Sequence, residues 1–298
     1  MARSTHIIPI FVMLLIAACT ERMNIKTDGI PPRLVIYGYI TSDTLRHSIR
    51  ITRSASYSDT NPPEGVSHAA VTISTDNDTI LLTESDTVPG LYLTSANTHG
   101  QMGKTYTLDV RLDFNNDGTT EHYQSSAYLT EINHIDSIRV QPSGILRNML
   151  EILLYAQDLP EENFYSVFTS VNDSLINSTI NDFFVMDDVF FNGAYMNGVP
   201  CGFLLQEKDG LQTLKKGDVI TLNINAIPKE YALFIGHVQS EIRGSNPIFG
   251  GPPANVETNI RCIDRPNTVV SGFFTAFPSR YAKTIIDFDI TVGKKSRD

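Results

Sequence analysis

From Leu34 onward, apolar and polar residues alternate in short runs broken by turn clusters, the period-two pattern of half-buried strands. In Thr105–Leu112 the apolar residues Tyr106, Leu108, Val110 and Leu112 share one face. Leu34–Thr41, Ser48–Ser54, Ala69–Ser74, Thr79–Thr83, Leu91–Thr94 and His122–Leu129 read the same way. Between them sit Asp76-Asn77-Asp78, Pro89-Gly90 and Asn116-Asp117-Gly118, residues that supply turn geometry. Seven short strands in about 100 residues predict an immunoglobulin-like β-sandwich over residues 33–132.

Longer strand-like runs follow at Ile135–Val140, Met149–Ala156, Tyr165–Val171, Val219–Ile227, Val269–Phe277 and Thr284–Val292. They predict a second β-sandwich-like domain over residues 133–298. One stretch changes period. In Lys229–Arg243 the residues Tyr231, Phe234, Ile235, Val238 and Ile242 fall on one face of a helix. Pro228 suits the first turn and Gly244 a left-handed stop. The helix is expected to cover an open end or face of the second sandwich. Asn177–Gly217, rich in Asn, Asp and Gly with exposed aromatics, reads as a long loop or hairpin insertion. The fold class expected is mainly β, with two tandem sandwiches and an inserted amphipathic helix.

The amino terminus follows another pattern. Residues 1–6 carry Arg3, and an apolar run then extends from Ile7 to Ala18. A positive region followed by about a dozen apolar residues has the form of an export signal. It is shorter than the roughly 20 residues that span a bilayer. The run ends Leu15-Ile16-Ala17-Ala18-Cys19, which resembles the lipobox of bacterial lipoproteins. Small residues there admit the peptidase, and the Cys19 thiolate takes the lipid. Residues 1–18 are thus expected to be a signal peptide and residues 19–32 a lipidated tether closed by Pro31-Pro32. Thr20 and Glu21 carry no Asp that would retain the protein at the inner membrane, so the outer membrane is the expected location.

Composition sharpens this picture. At 298 residues, 41% hydrophobic and 19% charged, the chain has apolar material for two modest cores. Removing residues 1–18 takes Arg3 from the 23 cations and nothing from the 33 acids, leaving 22 against 33 and a charge of −11. Such a surface repels phosphate backbones and anionic headgroups, which argues against nucleic acid and against a basic membrane face. The absence of Trp lowers the expectation of glycan stacking, although Tyr can do the same work.

Candidate chemistry is sparse. Cys201 and Cys262 are an even pair in an oxidising compartment. A disulfide between them, closing a 61-residue separation, would stabilise by about 4 kcal/mol in the chain-entropy picture; two buried free thiols are the alternative. Asp113, Asn115 and Asp117 alternate before Gly118 like the opening of a calcium loop, but Gln124 stands where a bidentate Glu belongs. A plain hairpin turn explains the same residues. His237 and Glu241, four apart on the helix, form a polar pair with no third metal ligand placed nearby. No nucleophile elbow, phosphate loop or zinc-protease helix occurs. The chain therefore reads as a non-enzyme with no cofactor. Asn246, Asn255 and Asn259 lie in a Pro- and Gly-rich segment that is either a partner-facing loop or a crossover whose amides satisfy backbone groups. Phe190, Phe191 and Tyr195 of the insertion are candidate partner anchors, since rigid rings dominate interface energetics; the alternative is that they cover the second core.

The order of motifs resembles the outer-membrane lipoprotein family of Bacteroidetes type known as domain of unknown function 4249. After the lipobox come Pro32-Arg33-Leu34-Val35-Ile36-Tyr37-Gly38 and Ala69-Ala70-Val71-Thr72-Ile73. Gly90-Leu91-Tyr92 and Gly103-Lys104-Thr105-Tyr106-Thr107-Leu108 come next. Gly217-Asp218, Pro228-Lys229-Glu230-Tyr231, Asn246-Pro247-Ile248-Phe249, Asn255, Asn259 and Val270-Ser271-Gly272-Phe273-Phe274 complete it. The resemblance implies an accessory to a TonB-dependent receptor in nutrient capture or uptake. The alternatives are a structural or adhesive envelope lipoprotein and, less favoured, an enzyme. The first domain is expected to act as a spacer and the second to make the partner contact.

Replacing Cys19→Ala is expected to leave the exported chain soluble in the envelope, because no later segment reaches roughly 18 apolar residues. Phase separation in detergent measures this. A mutant that partitions with the detergent as fully as the wild type would contradict it.

Overall fold

The structure, a computed structural model, describes residues 31–55, 61–208, 211–243 and 256–290. The first half contains β1 (Leu34–Thr41), β2 (Ser48–Arg53), β3 (Ala70–Ser74), β4 (Thr79–Glu84), β5 (Leu91–Leu93), β6 (Lys104–Leu112) and β7 (Glu121–Leu129). Next come β8 (Ile135–Pro142), β9 (Met149–Gln157), β10 (Phe164–Val171), β11 (Ser174–Leu175), β12 (Phe184–Asp187) and β13 (Tyr195–Leu205). A small pair, β14 (Glu207–Lys208) and β15 (Leu211–Gln212), leads to β16 (Val219–Ile227) and the helix α1 (Lys229–Arg243). The last strands are β17 (Arg261–Cys262), β18 (Ser271–Phe277) and β19 (Ser279–Ile285). The fold is mainly β, with one α-helix among the described residues.

Nine strands form one curled sheet in the order β17-β7-β6-β3-β4-β5-β2-β1-β18. The alternation seen in the sequence fills its core. Leu34, Ile36 and Ile40 of β1 point inward with Ile49, Ile51, Val71, Ile73, Leu108 and Val110. A second core lies between the sheet β11-β10-β16-β19, which β12 extends along β10, and the three-stranded sheet β13-β9-β8. Leu150, Ile152, Leu154, Val167, Ile220, Leu222 and Ile224 fill it.

Residues 260–277, which the sequence reading put with the second half, pack with the first sheet. Ile260, Cys262, Val270, Phe274 and Ala276 belong to the first core, and β18 pairs in parallel with β1 from Val35↔Ser271 to Thr41↔Phe277. After Pro278 the chain enters the second half, where β19 pairs with β16. A short-range reading could not place β18 because its partner lies more than 200 residues earlier in the chain. The strand expected at Thr284–Val292 is also displaced. Pairing runs over Ser279–Ile285, while Ile286, Phe288 and Ile290 pack on the second core outside a ladder.

Of the two readings of Asn177–Gly217, a long loop or a hairpin insertion, the long loop fails, and the segment includes the antiparallel pair β14–β15. It supplies β12, β13 and a 3-10 turn at Ile180–Asp182, and β13 pairs with β9 along its whole length. Irregularities at Asn197/Val199 and Pro200/Gly202 break its alternation, which hid the strand in the sequence.

The helix spans the expected residues, with Pro228 immediately before it accepting from the Tyr231 and Ala232 amides. It buries Tyr231, Ala232, Phe234 and Ile235. Ile242 of the expected face is half exposed instead, and Val238 is half-buried. The helix does not merely cover the second half. It packs on Tyr37, Phe273 and Phe277 from the first sheet and on Phe164 from the second, a third apolar cluster that joins the halves.

Gly272 permits the parallel seam. Its φ of +103° is one that L side chains rarely adopt, and a Cβ there would stand 2.0 Å from the Ile36 carbonyl oxygen. Gly272→Ala is expected to destabilise the fold by roughly 3 kcal/mol or more, measured by urea unfolding. A loss of a few tenths would mean that the seam carries little of the stability.

Candidate functional site

Strand β1 is apolar inward and aromatic outward: Tyr37 and Tyr39 leave the first core and face the seam between the halves. In register, Tyr37 stands beside Phe273 and Thr41 beside Phe277. The helix adds Tyr231 and Phe234. Ring centroids are 5.0 Å apart for Phe234–Phe273, 5.4 Å for Tyr231–Phe273 and 5.2 Å for Tyr39–Phe277, within the range of favourable aromatic pairing. The Tyr37 and Tyr231 hydroxyls share a hydrogen bond of 2.7 Å. Burial pushes the Tyr37 phenol up to about 12 and the Tyr231 phenol well above its usual range, so both stay neutral.

Two cavities flank this aromatic cluster. The larger, about 1030 Å³, runs along the outer face of β1 past Val35, Tyr37, Tyr39, Phe183, Phe234 and Val238, with Arg33 and Glu257 among its lining residues. The smaller, about 350 Å³, shares Tyr39 and Phe183 and lies between the β1–β2 loop and the outer face of β10, β16 and β19. Both volumes fall in the range of small-ligand sites. The loop is tied across the seam by Tyr281, whose hydroxyl donates to Asp43 at 2.5 Å, and by Ser279 N, which donates to Ser42 Oγ at 2.9 Å.

His47 holds the base of that loop. Its Nε2 accepts from Thr41 N at 3.0 Å, which places the proton on Nδ1, a buried atom with no partner. Burial lowers its pKa from 6.5 to about 4, against a smaller upward pull from Asp43.

The residues singled out in the sequence are dispersed. Cys19, Asn246 and Asn255 lie outside the described residues. Cys201 and Cys262 do not bridge. Both are free and buried, Cys201 in the second core and Cys262 in the first. Residues 260–277 return to the first sheet, which carries Cys262 away from Cys201. Burial raises the Cys201 thiol to about 12, leaving it unreactive. Asn259 clamps β18, donating from Nδ2 to the Phe274 carbonyl at 2.7 Å and accepting from Phe274 N at 3.0 Å. Its side-chain amide thus satisfies backbone, the second of the two readings open for this segment. Phe190 is 96% exposed, Tyr195 about half exposed, and Phe191 packs half-buried on the second core. Only the first two are free to meet a partner.

Asp113 turns both carboxylate oxygens onto its own loop, accepting from Asp117 N at 3.1 Å and Gly118 N at 2.8 Å. Asp117 accepts from Thr119 N, which holds its carboxyl below the usual range. Asn115 reaches toward Glu121. These are the bonds of a hairpin turn. His237 is half-buried with Nδ1 unpartnered. No group of three or more His, Cys, Asp or Glu side chains arranged to hold a metal occurs among the described residues.

The sequence reading missed Tyr37, Tyr39, Asn223, Asn225 and Tyr281. Their signal was present: Tyr on the polar side of β1, and Thr221, Asn223 and Asn225 alternating along β16.

Fold and site together define a mainly β protein of two halves with a ligand-sized aromatic cleft at their seam. Residues 20–281 match the family described as Domain of unknown function (DUF4249), and the chain belongs to that family. No curated protein matches it.

The depressed pKa of His47 sets a pH dependence. The unfolded chain takes up its proton near pH 6.5 and the folded chain only near pH 4. Stability is therefore complete above about 6.5 and falls as pH drops through this window, by up to roughly 3 kcal/mol. Urea unfolding between pH 7 and 4.5 should show this component reduced in His47→Gln. Equal pH slopes in the two proteins would refute the assignment.

Proposed function

We propose that this chain is a non-enzymatic outer-membrane lipoprotein, anchored through Cys19, that assists a TonB-dependent receptor in nutrient capture. In this reading the two halves are immunoglobulin-like sandwiches in tandem. The apolar run Ile7–Ala18 and the small residues before Cys19 support export and lipidation. The acidic surface supports a lipid rather than a basic face as the attachment. The observation that carries the binding role is the cavity of about 1030 Å³ at the seam. It is lined by rings from both halves and is fixed by α1 and by the passage from β18 to β19. That geometry also changes the expected division of labour. The first half is more than a spacer, because β1 and β18 form one wall. Phe190, almost wholly exposed, is a contact available for the receptor at a distance from the cavity.

Affinity purification of the tagged chain from detergent-solubilised envelopes of its own cell tests this. One TonB-dependent receptor is expected to co-elute in comparable amount, and Phe190→Ser to reduce its recovery several-fold. Recovery of the chain without any such receptor, under conditions that preserve membrane complexes, would refute the accessory role.

A further inference from the structure

We propose that the smaller cleft binds a neutral, polyhydroxylated ring, a sugar of one or two units. This rests on the capture reading above and names its ligand class. The floor is the outer face of three strands, and pairing arranges it in rows. Ser166, Asn225 and Ser279 form one row, and Phe168, Asn223 and Tyr281 the next. Such a face normally looks into water. Here Ser166 and Asn225 are each 1% exposed, and they line the cleft together with Asp43 and Leu45 of the β1–β2 loop and with Phe183.

The buried polar groups are already organised. Ser279 Oγ donates to Asn225 Oδ1 at 2.7 Å, and Asn225 Nδ2 donates to Asn223 Oδ1 at 3.0 Å. This network holds the amides in one orientation. Thr221 Oγ1, on the same face, is buried with no partner. An unmet hydroxyl in a cleft costs free energy that a ligand hydroxyl would recover.

The walls narrow the class further. Tyr39, Phe168, Phe183 and Tyr281 present rings, and Phe168 and Phe183 meet edge to face at 4.6 Å. Aromatic faces take up the C–H faces of a sugar while amides and hydroxyls meet its edge. Among the described residues no Lys, Arg or His lines the cleft, and the one carboxylate there, Asp43, accepts from Tyr281. No lining residue balances an anion, since Lys283, beside Thr221 in the next row, lies outside the lining and pairs with Asp173 at 3.5 Å, and a cation would meet a single engaged acid. A volume of about 350 Å³ suits one or two rings.

The test is titration of the purified full chain, in a detergent without a sugar headgroup, with glucose, galactose, mannose, maltose and cellobiose. Calorimetry is one readout. Tyrosine emission is the other, since no Trp competes. At least one sugar is expected to bind with a Kd on the order of 1 mM. Asn223→Ala and Thr221→Val should each weaken it by about tenfold. Thr221→Val should melt at or above the wild-type temperature, because the hydroxyl it removes has no partner in the fold, so weaker binding in this variant is not a folding defect. Glucuronate and glucosamine should bind more weakly than the neutral sugar. The proposal is overturned by no binding of any neutral sugar up to about 50 mM. Binding unchanged in both variants, or stronger binding of a charged sugar, overturns it equally. Because the chain is titrated alone, sugar binding without receptor co-elution would sink only the accessory role, and the converse would sink only this proposal.

Discussion

The parallel pairing of β1 with β18 is the constraint on which the rest of the molecule depends. It brings Phe273 and Phe277 beside Tyr37 and Tyr39, and so creates an apolar surface on the outer side of a sheet that already has a core on its inner side. A sheet face carrying four rings cannot remain in water without a large free-energy cost. Helix α1 covers part of it and leaves the remainder as the wall of a cavity. The helix, the joining of the two halves and the cleft all follow from one strand returning to the first sheet.

Much of the β architecture was readable in the sequence. β1, β16 and α1 have the expected limits, and most other strands differ by a residue or two. These elements are decided by local periodicity, which a half-buried face imposes directly. What escaped is non-local or irregular. β13 was hidden by bulges and by Pro200 on a strand that pairs on one side. The return of residues 260–277 was invisible because no local signal distinguishes a strand of one sheet from a strand of the other. Of the two readings of Cys201 and Cys262, the buried free thiols are found, because the same return carries Cys262 to the other core.

The site was less legible than the fold. Candidate contacts were sought in loops, where binding residues often sit, and the structure instead gathers aromatic and amide side chains on strand faces. Tyr37 and Tyr39 carried a signal, two large rings on the side of β1 that should be polar. Interpreting it required knowing that a second wall would stand opposite. Asn259 went the other way: of the two readings open for its Pro- and Gly-rich stretch, the backbone-satisfying one describes this amide.

The order of the strands along the chain also governs how the protein is made. Val35 and its partner Ser271 are separated by 236 positions. At ordinary rates of synthesis, roughly tens of seconds pass between the appearance of the two. During that time β1 has β2 on one side and a row of unpaired amides and carbonyls on the other, an edge that invites association with other chains. Local hairpins such as β6–β7 can close early, but the nine-stranded sheet cannot be completed until almost the entire chain exists. Folding of this protein is therefore a late, whole-chain event, and a nascent or truncated first half presents an aggregation-prone surface that the finished molecule conceals.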